Sequence, residues 1–248
     1  MFAELGLRRN NYSKSTVIIL GFSVWLIYTL DRLLDNRKEH KIQTQRHLFH
    51  QRNQRVLWLI MIFSLCMIRY FLFFISMKII LLGIVIFSLT AFYLFIVSQI
   101  SVNNSFQTYK EPITAFIYAT AVWGTASVEH LTLFPCFVGM IFFLIAFQNL
   151  LLFSFFELLQ FPESSNLVKL WGLKTTQKII LGIFIFIVLS GGFCLINLSN
   201  LYQQKVIGME MLMSLGLCLT LYFQKLTLPE ERYRWLGDGV FLLPLLII

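Results

Sequence analysis

The run from Val56 to Ser98 constrains this chain more than any other stretch. Within it Arg69 and Lys78 are the charged residues. Lys78 divides the run into two segments of about 20 residues, the length of a helix that crosses a hydrocarbon layer. Inside lipid every backbone N–H and C=O must be satisfied within the spanning structure. The pair is therefore read as two transmembrane helices joined by a tight turn near Lys78.

The same pattern recurs along the chain. Spans are expected over about 16–34, 56–76, 78–98, 112–128, 131–156, 178–198 and 206–224. An eighth, 236–248, is short, with a reach of about 20 Å at the helical rise. It is read as a half-span or as a segment lying against its neighbours. Composition agrees: 58% of residues are hydrophobic and 13% charged, with mean hydropathy +0.75. A soluble domain is roughly 45–50% apolar and about 25% charged. The expected fold is all-α, a polytopic membrane bundle of about eight transmembrane helices forming one domain over residues 1–248. Residues 1–15 form a polar N-terminal segment, and 35–55 and 157–177 are polar segments between spans. The first apolar stretch stops in acids without a small-residue cleavage pattern, so it is read as a span and not as a signal peptide. Cys66, Cys136, Cys194 and Cys218 all lie inside apolar runs, without metal-ligand spacing. They read as small hydrophobes.

The formal charge of +8 reports loops and anionic lipid, and nucleic acid is not an expected partner. Placing 35–55 in the cytoplasm leaves five of the 20 Lys and Arg outside: Arg8, Arg9, Lys14, Lys78 and Lys205. Arg69 lies within a span and fourteen lie inside, which is the positive-inside bias. The N-terminus is the exception to it. Four spans separate Asp35 from Glu157, so both acidic segments are expected on the cytoplasmic side.

The stretch Trp25–Asp35, WLIYTLDRLLD, ends the first span in two carboxylates, Asp31 and Asp35. Four residues apart, they share a helix face. A helix C-terminus carries partial negative charge, so each acid there costs roughly 0.3–1 kcal/mol unless a positive group offsets it. Two readings stand. Arg32 and Arg37 neutralise a solvated helix end, or a divalent cation does so and bridges to a phosphate.

This stretch resembles the first acidic motif of the UbiA-type intramembrane prenyltransferases, N-D-x-x-D-x-x-x-D. Asp31 and Asp35 match its last two acids, Arg32 follows as it often does there, and Ile27 and Tyr28 replace the first two positions. RHLFH at 46–50, YKEP at 109–112 and RYRWLGDGVFLLPLL at 232–246 are similar to a divergent bacterial branch of the family. The second motif of the family falls on FFELLQFPESS, 155–165. Glu157 stands for its first acid, Gln160 replaces the next, and Glu163 follows beyond Pro162. The helix that the family usually has before the one carrying the first motif is not read ahead of Asp31 in this chain.

The resemblance implies a prenyltransferase of a bacterial inner membrane. It would move an isoprenoid group from an allylic diphosphate to a lipid-soluble, aromatic acceptor. Mg²⁺ would be held by Asp31, Asp35, Glu157 and Glu163, with Asp31 and Asp35 as catalytic residues. Arg32, Arg46, Lys110 and Lys169 would meet the diphosphate. The alternative is a relative that keeps the bundle but has lost turnover, as a lipid-binding protein or complex subunit. A transporter has less support, because no inverted repeat is seen.

Further residues are weighed singly. His47 and His50 share a helix face, with His40 as a possible third ligand, and are read as interfacial. Lys174 is a second basic residue of the 157–177 segment. Gln148 and Asn149 are expected to bond a neighbouring helix. Arg69 is either functional or snorkelling. Asp238 is expected to cap the last helix.

Overall fold

In a computed structural model, residues 12–35, 52–99, 109–128, 132–164 and 166–247 are described. All regular structure among them is helical, and the chain forms an all-α bundle. The long helices are α1 (Tyr12–Asp35), α2 (Gln54–Leu72), α3 (Met77–Gln99), α4 (Lys110–Ser127), α5 (Leu133–Gln160), α7 (Leu173–Asn197) and α8 (Leu201–Tyr222). Short helices α6 (Leu167–Trp171), α9 (Gln224–Thr227) and α10 (Arg232–Val240) complete the set, with 3₁₀ turns at Pro229–Glu231 and Leu243–Ile247.

Five helices, α2, α3, α5, α7 and α8, are long and apolar enough to cross a membrane. The protein is a multi-pass membrane protein. The apolar part of α1, Lys14–Leu30, is shorter. Helix α4 is less apolar, with Glu111 in its first turn and a buried face of Ala115, Ala119, Ala121 and Ala126. Small residues let helix backbones approach closely, and this face packs on α5. A Cβ added at Gly139 of α5 would lie 3.5 Å from the Trp123 Cβ, which shows how near the two helices come.

The main core lies where α4, α5, α7, α8 and α10 meet, around Ile141, Ile145, Leu152, Ile187, Ile207 and Met213. Its aromatic residues pack on one another: Phe142 meets Tyr118, Trp123 and Phe241 edge-on or tilted at 5.7–6.0 Å. A second, smaller cluster joins α1 to α2 through Leu33, Leu57 and Met61.

The last expected span takes the second of its two expected forms, a segment lying against its neighbours. Helix α10 has nine residues and covers about 14 Å, and the 3₁₀ turn containing Pro244 follows it. Instead of crossing, α10 lies against α5 and α8. Its Gly237 makes this possible, because a Cβ there would stand 2.6 Å from the Phe153 ring and closer still to Asn149. The chain turns into α10 through Glu230 and Glu231, at φ 55° and 54°. Such left-handed backbone costs a non-glycine residue about 1–3 kcal/mol. Ion pairs from Arg232 to Glu230 and from Arg234 to Glu231, each 3.0 Å, hold the turn. Asp238 lies inside α10 and is exposed, and the N-cap position belongs to Glu231. The expected capping role of Asp238 is therefore corrected.

Candidate functional site

The polar residues gather at one end of the bundle. Glu111, in the first turn of α4, is 3% exposed. Its Oε1 accepts hydrogen bonds from Ser154 Oγ at 2.7 Å and from the Leu167 backbone N–H at 3.3 Å. Asn166 extends the knot, donating from Nδ2 to the Ser154 carbonyl at 3.1 Å and accepting at Oδ1 from the Lys169 N–H at 3.0 Å. One carboxylate thus ties α4, α5 and α6 together, while its Oε2 is buried without a hydrogen bond.

These contacts set helix directions. Helix α4 begins where α5 stops. Gln160 Nε2, at the end of α5, donates to the Leu228 carbonyl just beyond α8 at 3.3 Å, so α5 and α8 run parallel. Gly124, near the far end of α4, faces Leu82 near the start of α3. Helix α2 ends in the four-residue turn into α3, and its start packs beside the end of α1. The last turn of α1 therefore lies at the same end of the bundle as Glu111 and Glu157.

Glu157 sits three residues past Ser154 on α5 and is half-buried. Its carboxylate makes no hydrogen bond or ion pair among the described residues. It lies near enough to Tyr233 to act on the phenol electrostatically. Burial pushes the Tyr233 phenol above its ordinary range; Arg234 opposes the rise, and Glu231 and Glu157 add to it. Tyr233 is fully buried and stacks on Phe156 at 4.5 Å. Arg234 donates from Nε to the Tyr233 hydroxyl at 3.1 Å and lies over the rings of Tyr233 and Phe153 at 5.3 and 5.8 Å. Such cation–π contacts strengthen when desolvated, and Arg234 is 8% exposed.

The remaining site residues fall as follows. Positions 31 and 35 lie one turn apart on α1, and the side chains of Asp31, Arg32 and Asp35 lie outside the described residues. So do Arg46, His40, His47 and His50. Lys110 is half-buried at the start of α4, beside Glu111. Glu163 and Lys169 are both exposed, and Lys169 Nζ donates to the Glu163 carbonyl at 3.4 Å. Lys174 is exposed in the first turn of α7. Gln160 is engaged in joining α5 to the α8–α10 link. Among the described residues no three His, Cys, Asp or Glu side chains come together as a metal site. Arg69 is exposed in the last turn of α2, where a cation meets the negative end of the helix dipole.

Deeper in the bundle, Gln148 joins three helices. Its Oε1 accepts from Ser214 Oγ at 2.7 Å, and its Nε2 donates to the Ile180 carbonyl at 3.3 Å and reaches Cys218 Sγ at 3.4 Å. Asn149 is buried against Gly237, with its Oδ1 unpartnered.

Sequence reasoning did not single out Tyr233 and Arg234, or the knot of Glu111, Ser154 and Asn166. It also passed over Glu210, a buried acid on α8. Glu210 carried a readable signal, because an ionisable residue inside an apolar run is a functional candidate by default. No family model matches this chain, and no curated protein or solved structure matches it either.

Proposed function

We propose that the chain is a UbiA-like prenyltransferase, an integral membrane enzyme moving an isoprenoid group from an allylic diphosphate to a lipid-soluble, aromatic acceptor. The observation that carries this reading is the stretch WLIYTLDRLLD. It ends an apolar helix in two carboxylates at the end of the bundle where Glu157 holds a carboxylate without a bonded partner among the described residues. The reading further takes α1 and α4 as spans beside the five apolar ones, with the acidic end in the cytoplasm of a bacterial cell.

Asp31, Asp35 and Glu157 would hold Mg²⁺, with Glu163 reaching in from the loop. Mg²⁺ supplies the positive charge that a departing diphosphate requires. Arg32, Arg46, Lys110 and Lys169 would meet the diphosphate oxygens, which suits bidentate guanidinium and point-charge ammonium donors. Among the described residues Glu157 is the carboxylate best suited to a cation, so the site depends on Asp31 and Asp35.

The test uses the full chain in lipid vesicles with labelled isoprenoid diphosphates and Mg²⁺. Released diphosphate and a prenylated lipid are expected, and Asp31→Asn should remove diphosphate binding. Unchanged binding by that variant refutes the assignment. One observation favours the second reading, a bundle without turnover that binds lipid or serves as a subunit. Gln160 and Glu163, the later positions of the second acidic motif, are respectively tied to Leu228 and exposed. Binding of the diphosphate without turnover, across all donors, selects that reading.

A further inference from the structure

Glu210 lies nine residues from the start of α8 and twelve from its end, about 14 and 18 Å along the axis. It is 1% exposed, and both carboxylate oxygens are buried without a hydrogen bond. The adjacent buried residues of its helix, Val206, Ile207, Met209 and Met213, belong to one apolar cluster with Ile141, Ile145 and Ile187. Ser214, one turn further on, is already engaged with Gln148.

The charged groups on the elements packed against α8 stand toward their ends. Among the described residues these are Glu157 on α5, Lys174 and Lys178 on α7, Lys225 on α9, and Arg232, Arg234 and Asp238 on α10. Lys205 is exposed in the first turns of α8 itself, about 7.5 Å along the axis from Glu210. The other titratable groups on these elements are the thiols Cys136, Cys194 and Cys218 and the phenols Tyr202, Tyr222 and Tyr233. None of them bonds the carboxyl of Glu210. An ion so placed has neither water nor a counter-charge, whereas a neutral carboxyl in apolar surroundings needs neither.

We propose that Glu210 is a proton-binding site at mid-membrane, holding its carboxyl un-ionised in the folded bundle. The ligand is the proton itself.

The experiment is infrared spectroscopy of the full chain in lipid vesicles at neutral pH, with carbon-13 glutamate. The native protein is expected to show a carbonyl band of protonated glutamate that loses intensity in Glu210→Gln. In Glu210→Asp the band should survive at the aspartate frequency, outside the isotope shift. A native-minus-Gln difference made of ionised carboxylate bands overturns the proposal, as does a protonated glutamate band of equal intensity in the native protein and in Glu210→Gln, whatever constant part the buried Glu111 adds. Should that variant not accumulate, the native spectrum decides alone: without a protonated glutamate band at neutral pH the site does not exist.

Discussion

Helices α2 and α3 differ from α5 and α8 in what they do with polar side chains. In the first pair Ser64 and Thr90 donate to the carbonyls of Ile60 and Ile86, each four residues back on the same helix, at 2.8 Å. In the second pair Gln148 and Ser214 bond to each other across 66 positions of sequence. Burial differs in step. Half of the apolar window of α5 is buried, against 17% for α2 and for α3. Ser64 and Thr90 are themselves buried, yet each short hydroxyl is satisfied by the carbonyl one turn back on its own helix. A larger amide in a packed seam finds partners on neighbouring helices. Hydropathy alone does not separate the two pairs, since α3 is more apolar than α5 and far less buried.

That contrast can be broken at three levels. Ile145→Ala, at a fully buried position, should cost about 2–4 kcal/mol through the cavity it leaves. Leu59→Ala, at a position 67% exposed, should change thermal unfolding in detergent little. Equal losses would mean that α2 packs as tightly as α5. Next, Gly237→Val should cost about 2 kcal/mol by overpacking, because Phe153 and Asn149 already occupy the space. Gly83→Val on α3 meets nothing within 4 Å and should be tolerated. A tolerated Gly237→Val would show that α10 is not seated on α5. The smallest effect is expected for Gln148→Leu, about 1 kcal/mol for lost interhelical bonds. Thr90→Val should be near neutral, since its hydroxyl serves only its own helix; a larger loss there would overturn the contrast.

Much of the fold was legible in the apolar runs, but helix ends were not. Helix α7 was expected from 178 and starts at Leu173, because Gly172, at φ 80°, sets the break. Helix α8 was expected from 206 and starts at Leu201, where Asn200 Oδ1 accepts from the Tyr202 N–H at 2.9 Å. Hydropathy marks the part of a helix that suits lipid, while caps and glycines decide where it stops. The turn expected near Lys78 lies at 73–76, and Lys78 is already in α3. Of the candidate site, the single acids and lysines could be read from their positions beside spans. Their partners could not. Ser154 reaches Glu111 across 43 positions and Gln160 reaches Leu228 across 68, and no local pattern encodes such meetings.

The two left-handed glutamates before α10 have a consequence for biosynthesis. Tyr233 stacks on Phe156, the residue before Glu157, and the ribosome makes it after helices α1 to α8. In a nascent bundle Phe156 therefore lacks this partner until residues 229–240 fold back onto α5. That folding back takes a local backbone reversal at Glu230 and Glu231.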